Sequence, residues 1–470
     1  MSTFVSERKD KLSKRLIYLY PLFISLSFLI AAPIAVIYTE EWDFLDNLLR
    51  ILTSPSKLVT DYFALGGLGS TLFNAAICGL CTNVIVYISR AQAHATILAG
   101  YMLVVAHCFY GLNFLNMWPP FIGMLLFCVV TKKRIGDNIH IAFFSTALAP
   151  FVSELCFRYA VDNFSLSVIN VNWVGVALSV VCGLAIGFVV PALLPGTAAM
   201  HHGYSLYKAG LAIGILGIFL NAFMYSTLGM DAPADLEIVN EGYYALSYGY
   251  REFMNIFFII LFSLTFIVGF LFNKKSLRSY GDLLKCTGHG TDFTDKFGMP
   301  VCMINIAIYG LAIIAYLNLV FILPSIIPGL PEGVGFTGAT AGIVFAAITF
   351  AADGQHIRNV FPIAVGYIAL FILMVLICLA AQLDIPWTLS TQSYINGLAF
   401  ATGLCPIAGK YGFRYGVLAG FLSAVICAIT AEMHGGFVLY NGGFNAGLTA
   451  LVIIPILDFY NVKPIRESDV

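Results

Sequence analysis

Charged side chains are scarce in this sequence. Only 10% of its 470 residues are Asp, Glu, Lys or Arg, whereas 60% are hydrophobic. A typical soluble domain is about 25% charged, so this composition excludes an ordinary soluble domain. The near balance of 24 basic and 25 acidic residues also excludes a polybasic surface for nucleic acid. The apolar runs show no strict alternation, and they therefore predict membrane-spanning α-helices rather than a β-barrel.

Other chemistries lack their usual signals as well. The glycine cluster at Gly66 follows no predicted strand, so it is no Walker loop, and an ATP-driven mechanism is not supported. The repeat described below places His201 and His434 at opposite faces, so we expect no shared metal site and no cofactor. The eleven cysteines, an odd number, lie almost all in apolar segments. We interpret them as small buried core residues.

Fourteen apolar segments are long enough to cross about 30 Å of hydrocarbon, which takes roughly 20 helical residues. We predict them near residues 16–38, 64–89, 93–111, 114–131, 139–157, 171–192, 207–226, 253–272, 299–323, 334–352, 360–381, 392–409, 413–431 and 437–457. The first is predicted to be an uncleaved helix rather than a signal peptide, because its apolar run is too long. If the N-terminus is inside, 20 of the 24 basic residues lie inside and four outside. This bias predicts a cytoplasmic (inner) membrane protein with both termini in the cytoplasm.

One phrase occurs twice, as FSTALAP at 144–150 and FATGLCP at 400–406. Four more blocks recur in the same order. Three are sequence matches: TDYF (60–63) with TDKF (294–297), NAAICGL (74–80) with NIAIYGL (305–311), and MHHGYSLYKAG (200–210) with MHGGFVLYNGG (433–443). The fourth lies between the second and the third and is a shared spacing, because Gly111, Asn116, Pro119 and Gly123 are spaced identically to Gly354, Asn359, Pro362 and Gly366. Five ordered matches indicate an internal repeat. Each copy would hold seven spans, and an odd number makes the copies cross the membrane in opposite senses. We therefore predict an all-α polytopic membrane protein of two inverted seven-helix repeats, with domains at 1–240 and 241–470.

The repeated prolines supply the first candidates for a solute pathway. Pro150 and Pro406 predict broken helices, whose exposed backbone groups can bind ions or polar solutes. Thr146 and Thr402 stand one turn before these prolines and offer hydroxyl groups. The alternative is a packing kink that binds no ligand.

Two charged residues occupy equivalent positions in the copies. Glu154 and Lys410 each follow the repeated proline by four residues. An ionisable group at membrane depth is costly and therefore indicates function. The alternative is that both lie at helix ends in contact with water or headgroups.

Four asparagines complete the set of candidates. Asn74 and Asn305 fall inside predicted spans, where a buried amide either bonds a neighbouring helix or lines a pore. Asn441 and Asn445 follow the second M-H block and are candidates to face a cavity.

The same blocks carry a family resemblance. They include GTDFTDKFG, IRNVFPIAVG, FATGLCPIAGKYGFRYGVLAGF and MHGGFVLYNGGFNAGL in the second half, and NMWPPFIG, FFSTALAPFVSEL and HHGYSLYKAG in the first. In these blocks the chain resembles a bacterial membrane-protein family labelled as domain of unknown function number 1576, in which one domain occurs twice. The family often has Leu-Tyr-Asn in both copies, whereas this chain has Lys208 at the first Asn position. The resemblance implies no substrate.

Together these patterns predict a transporter or channel that carries a small solute or ion across the lipid bilayer, with the pathway between the repeats. Two alternatives stay open. The first is a membrane-embedded enzyme that uses Glu154 or the histidines, and the second is a scaffold or sensor with an apolar repeat interface. Whether the protein forms a homo-oligomer also stays open.

Overall fold

The computed structural model describes residues 2–57, 60–159, 161, 169–229, 243–331 and 335–465. Within these ranges the chain is helical and has no β-strand. The predicted junction of the two domains, at residues 240 and 241, lies outside the described residues. The helices before that junction are α1 (Ser2–Thr39), α2 (Phe44–Thr53), α3 (Tyr62–Ile88), α4 (Ala95–His107), α5 (Trp118–Thr131), α6 (Ile135–Ser145), α7 (Ala149–Phe157), α8 (Trp173–Met200) and α9 (Lys208–Asn221).

The helices after the junction follow a similar order. They are α10 (Tyr243–Phe272), α11 (Arg278–Leu283), α12 (Phe293–Phe297), α13 (Met299–Ile326), α14 (Gly338–Ala347), α15 (Ile357–Ala381), α16 (Gln392–Ala401), α17 (Cys405–Tyr411), α18 (Phe413–Ile426), α19 (Ile429–Glu432) and α20 (Asn441–Phe459). Short 3₁₀ segments, Thr146–Leu148 and Thr402–Leu404, join α6 to α7 and α16 to α17. A π-helical segment, Ala222–Thr227, continues α9.

Nine helical stretches in the described part of the chain are long and apolar enough to cross a membrane. They are Lys11–Thr39, Tyr62–Ile88, Ile135–Phe157, Trp173–Met200, Lys208–Thr227, Gly249–Phe272, Met299–Ile326, Ile357–Ala381 and Asn441–Phe459. The protein is therefore a multi-pass helical membrane protein. The other five predicted spans coincide with the shorter apolar helices α4, α5, α14 and α18 and with the pair α16 and α17. The cysteines are buried or half-buried free thiols, which confirms their interpretation as core residues.

Glycine turns shorten two of the predicted spans. Helix α4 ends at His107 and α14 ends at Ala347, because the chain then enters turns that contain Gly111 with a φ of 149° and Gly354 with a φ of 130°. Only glycine adopts such values readily. Asn116 donates to the Gly111 carbonyl and Asn359 donates to the Gly354 carbonyl, both at 2.9 Å. We call residues 108–117 and 348–356 the glycine turns.

Two predicted asparagines fasten these glycine turns to neighbouring helices. The Asn74 amide in α3 donates to the carbonyls of Cys108 and Leu112, both at 3.0 Å. The Asn305 amide in α13 donates to the carbonyls of Ala351 and Gln355, both at 2.7 Å. Both amide groups therefore bond a neighbouring segment, which is the first of the two roles that the sequence left open.

The structure corrects the alignment of one repeated block, residues 60–63, with the second half. Gly67 in α3 and Gly298 before α13 both have positive φ, 74° and 85°, and six residues earlier stand Asp61 and Asp292. Each aspartate accepts from the amide two residues later, at 2.9 and 2.7 Å. The segment equivalent to 60–63 is thus 291–294, and the match with 294–297 is wrong by three residues. Two Thr-Asp pairs stand close together in the second half, and only the first occupies the capping position.

Helices of the two halves pack directly on each other. Helix α4 packs on α14, and α9 packs on α20. The second contact is close, because a Cβ atom at Gly210 would overlap the backbone of Gly443. Small residues let helix backbones approach in this way, and the approach brings the segments before α9 and α20 together.

Candidate functional site

Aspartates at equivalent positions link the two halves in a crossed fashion. Asp61 of the first half accepts from the Gly338 amide at the start of α14, at 2.7 Å. Asp292 of the second half accepts from the Ala95 amide at the start of α4, at 3.3 Å. Each half therefore supplies an acceptor to the first turn of a helix in the other half.

A second crossed link joins the M-H blocks to the repeated proline phrases. The Leu439 amide donates to the Ala147 carbonyl, and the Leu206 amide donates to the Gly403 carbonyl, both at 2.9 Å. Each bond runs from the turn before a helix of one half to a 3₁₀ segment of the other half. The repeated phrase thus holds the opposite half's M-H block in place.

The prolines do not open gaps in these helices. Pro150 and Pro406 are the second residues of α7 and α17, where a missing backbone N–H leaves no hydrogen bond unmade. The hydroxyls of Thr146 and Thr402 donate to carbonyls three residues earlier, at 2.7 and 2.6 Å. A 3₁₀ turn thus interrupts the α-helix just before each proline, and a solute-binding role for these interruptions stays a prediction. The glycine turns are wider interruptions, since residues 108–117 and 348–356 leave the α-helical conformation.

Aromatic rings fill the region between these crossed links. The rings of Tyr207 and Tyr440, which precede α9 and α20, lie 5.5 Å apart. Tyr207 also contacts Phe350 at 4.8 Å and Phe400 at 5.1 Å, while Tyr440 lies 6.4 Å from Phe144. His107 at the end of α4 and Tyr110 in the first glycine turn lie beside these rings. We call the whole group the central cluster: His107, Tyr110, Phe144, Tyr207, Phe350, Phe400 and Tyr440.

The central cluster contains polar atoms without partners. The Tyr207 hydroxyl donates to the Ala346 carbonyl at 2.7 Å. By contrast, the hydroxyls of Tyr110 and Tyr440 make no hydrogen bond to any described residue. The ring nitrogens of His107 make none of regular geometry, although the Leu439 backbone lies beside the ring. These three side chains are at most 1% exposed. A buried polar group without a partner costs about 1–3 kcal/mol.

Glu154 lies in a second group of residues that we call the Glu154 cluster: Glu154, Arg158, Tyr225, Phe437 and Lys57. Arg158 Nε lies 3.0 and 2.9 Å from the two carboxylate oxygens of Glu154, and Nη2 lies 2.9 Å from Oε2. The Tyr225 hydroxyl donates to Glu154 Oε1 at 3.0 Å. Because Glu154 is only 1% exposed, its predicted alternative of a helix end in water is wrong.

Tyr225 connects this ion pair to the M-H block of the second half. It lies in the π-helical segment, and such widened turns occur often at functional sites. Its ring stacks on Phe437 with centroids 6.0 Å apart, and Lys57 Nζ lies 5.7 Å from the centroid of the Phe437 ring.

Lys410 lies in a third group, the Lys410 cluster: Lys410, Tyr204, Tyr411 and His289. Lys410 Nζ is 5.1 Å from the centroid of the Tyr204 ring, and the hydroxyls of Tyr204 and Tyr411 are 3.0 Å apart. The His289 ring lies 4.5 Å from that of Tyr204. Burial raises the pKa of the Tyr204 hydroxyl above its usual value, so this hydroxyl stays neutral. Tyr204 and Phe437 each follow the methionine of an M-H block by four residues, so the two clusters occupy equivalent places.

The remaining predicted asparagines bond within the protein. The Asn441 side-chain oxygen lies 2.9 Å from Nε2 of His434, and the Asn445 amide donates to the Ser423 carbonyl at 3.1 Å. Neither is placed in the central cluster.

Sequence reasoning missed His107, Tyr110, Tyr207 and Tyr440. The Leu-Tyr pair in both M-H blocks was an available signal for the two repeat tyrosines. The other two residues have no counterpart of the same type in the second half.

Comparison with known proteins supplies a family and no activity. No curated protein and no solved structure matches the chain. One family model, described as "Protein of unknown function (DUF1576)", matches it twice, at residues 40–226 and 272–459. The double match confirms the resemblance seen in the repeated blocks and is consistent with a duplicated domain. The chain belongs to this family of proteins of unknown function.

Proposed function

We propose that the protein is a transporter for a small solute, in which two inverted repeats of seven crossings each open in turn to opposite faces of the membrane. The fourteen crossings comprise the nine long helical stretches together with α4, α5, α14, α18 and the pair α16 and α17. The pathway runs through the central cluster, and the Glu154 and Lys410 clusters close its two ends.

The crossed hydrogen bonds carry this proposal. Leu439 bonds Ala147 while Leu206 bonds Gly403, so one contact recurs with the two halves exchanged. The Asp61 and Asp292 links repeat that exchange at another place. Contacts of this reciprocal kind are expected across a pseudo-two-fold axis, and in transporters of inverted repeats such an axis lies in the membrane plane beside the solute site.

The two charged clusters support gates at opposite ends. They occupy equivalent places in the repeat, and inversion puts equivalent places on opposite faces of the membrane. Both join residues of the two halves through one aromatic ring, Phe437 or Tyr204, with a cation beside it. Separating the halves at either end breaks such a contact.

The scaffold alternative is less well supported. A scaffold predicts a repeat interface filled with apolar side chains, whereas this interface holds buried polar groups of His107, Tyr110 and Tyr440. Polar groups within the membrane are costly and are typical of solute pathways.

Labelling of introduced cysteines tests the proposal without knowledge of the solute. Phe437→Cys and Tyr204→Cys are made in a chain whose half-buried Cys81, Cys156 and Cys182 are serine. Right-side-out and inside-out vesicles are then treated with a membrane-impermeant maleimide. Both target side chains are buried, at 1% and 6% exposure, so labelling reports an opening of that end.

We expect each cysteine to be labelled from one face only, and the two from opposite faces. In the double variant, a bulky maleimide on the first cysteine should suppress labelling of the second, because one end closes as the other opens. Exposed Trp42→Cys and Lys274→Cys serve as controls for the two faces. Labelling of both targets from one face would contradict inversion. Independent labelling, or no labelling of either target while the controls react, would contradict alternating access.

A further inference from the structure

Three unpartnered polar side chains come together in the central cluster. The rings of His107 and Tyr110 are 5.6 Å apart, and those of His107 and Tyr440 are 6.3 Å apart. His107 ends α4 and Tyr110 lies in the first glycine turn, whereas Tyr440 belongs to the second half. The trio therefore spans the contact between the halves.

Comparable groups elsewhere in the bundle are satisfied only in part: His201, Ser205 and Tyr309 also have buried polar atoms without a hydrogen bond to a described residue, whereas the asparagine amides are bonded. The side-chain amides of Asn74, Asn116, Asn305 and Asn359 each donate to at least two acceptors, although all four residues are buried. Native proteins leave few buried polar groups without a partner, and each exception needs an explanation. Three exceptions in contact with one another indicate a ligand site, because one bound molecule would satisfy them all.

The chemistry of the trio favours a ligand without charge. A tyrosine hydroxyl both donates and accepts, and a neutral imidazole donates at one nitrogen and accepts at the other. The trio has no carboxylate, ammonium or guanidinium group to balance an ion. The charges of the other two clusters are engaged within them, since Glu154 pairs with Arg158 and Lys410 lies over Tyr204. Lys208 and Asp353, which follow Tyr207 and Phe350 in the chain, interact with each other. A buried ion without a counter-charge is strongly unfavourable, whereas an uncharged molecule avoids this cost.

We propose that His107, Tyr110 and Tyr440 form the solute site of the transporter and that the solute is a small, uncharged, polar molecule with both hydrogen-bond donors and acceptors. The apolar rings of Phe144 and Phe400 lie beside Tyr440 and complete the site, as in other small-molecule sites. This inference rests on the proposed function and adds the place and the chemical class of the solute.

The trio has no equivalent set of residues in the other copy of the repeat. Measured from the glycines of the two turns, His107 corresponds to Phe350 and Tyr110 corresponds to Asp353. The second half therefore lacks the same trio. One molecule of protein binds one molecule of solute, rather than two at symmetric places.

The first test measures thermal stabilisation of the detergent-purified protein by a panel of probes. The uncharged probes are amides, polyols and free nucleobases, and the charged ones are carboxylates, amines and inorganic salts. We expect at least one uncharged class to raise the melting temperature with saturable, one-to-one binding. Stabilisation by charged probes alone, or by no uncharged probe, would overturn the inference.

Single-atom variants then place the site. Tyr110→Phe and Tyr440→Phe remove hydroxyls that bond no described residue, and Tyr101→Phe is the matched control because its hydroxyl lies 2.7 Å from that of Ser25. We expect the first two to weaken solute binding at least tenfold while the melting temperature of the solute-free protein stays level or rises. Tyr101→Phe should lower that temperature and leave the affinity unchanged. If Tyr110→Phe and Tyr440→Phe keep full affinity, or if they destabilise the solute-free protein as Tyr101→Phe does, the trio is structural and the inference fails.

The two proposals fail in different ways. If the cysteines are labelled in alternation but the solute is charged, or its binding does not depend on the trio, the inference fails and the transporter proposal stands. Uncharged-solute binding that depends on the trio, without alternating accessibility, removes the transporter and leaves the trio as a binding site for an uncharged ligand.

Discussion

The Glu154 and Lys410 clusters occupy the same place in the two copies, yet they are held by different forces. At the first, a buried carboxylate bonds a guanidinium through both oxygens and also accepts from Tyr225. At the second, a half-buried ammonium lies over the Tyr204 ring, and the adjacent bond joins two neutral hydroxyls. Duplication therefore preserved the backbone arrangement while the side chains diverged. We infer that the Glu154 end resists opening more strongly than the Lys410 end.

The Glu154→Gln variant should lower the stability of the protein most, because it removes the ion pair that makes the Glu154 end harder to open than the Lys410 end. It leaves Arg158, whose side chain is only 10% exposed, without its carboxylate. Breaking a buried ion pair on one side costs about 3–5 kcal/mol. We expect a loss of this size in the free energy of unfolding, measured by urea titration in detergent.

The double variant Glu154→Gln with Arg158→Met is its control. It should recover part of the loss, because no buried charge is then left without a partner. Strictly additive losses would show that the two side chains do not act as a pair.

The Tyr225→Phe variant should weaken the same end by a smaller amount. It removes one hydrogen bond to a charged group, which is worth about 1.5–3 kcal/mol, and retains the ring that stacks on Phe437. Faster labelling of Phe437→Cys should accompany the loss of stability. An unchanged labelling rate would mean that Tyr225 plays no part in closing this end.

The Tyr411→Phe variant is the matched change at the other end. It removes a bond between two neutral hydroxyls, for which about 0.5–1.5 kcal/mol is expected. Urea titration should therefore give a smaller loss than for Tyr225→Phe. Equal or larger losses would reverse the proposed order of the two ends.

The Lys410→Met variant should have the smallest effect. A cation over an aromatic ring at a partly exposed place contributes about 0.5–1 kcal/mol, and methionine keeps much of the packing. We expect little change in stability but faster labelling of Tyr204→Cys from the face that labels it in the parent chain. A loss comparable to that of Glu154→Gln would show that Lys410 has a stronger partner than the Tyr204 ring.

Much of this arrangement follows from local patterns in the sequence. The repeated blocks located Asn74 and Asn305, and the structure gives both the same kind of bond to a glycine turn. The ion pair between Glu154 and Arg158 could also be predicted from the sequence, because residues four apart share a helix face. The sequence offered both residues, but it did not indicate that they lie away from water.

Three features depended on the tertiary fold. Tyr225, which bonds Glu154, lies where α9 continues as a π-helix, and no residue pattern marks that change. The register of Asp292 was hidden by a second Thr-Asp pair three residues later. The unpartnered state of His107 is a property of everything around it, so it could not be predicted from its own neighbours in the chain.

The two crossed aspartate links become possible at different stages of synthesis. The acceptor for the Ala95 amide is Asp292, which the ribosome adds 197 residues later. At about 5–20 residues per second, that amide waits about 10 to 40 s for its partner. The Gly338 amide, in contrast, meets an Asp61 that has been in place for 277 residues. Helix α4 of the first repeat therefore lacks the acceptor for its first turn until the second repeat is made.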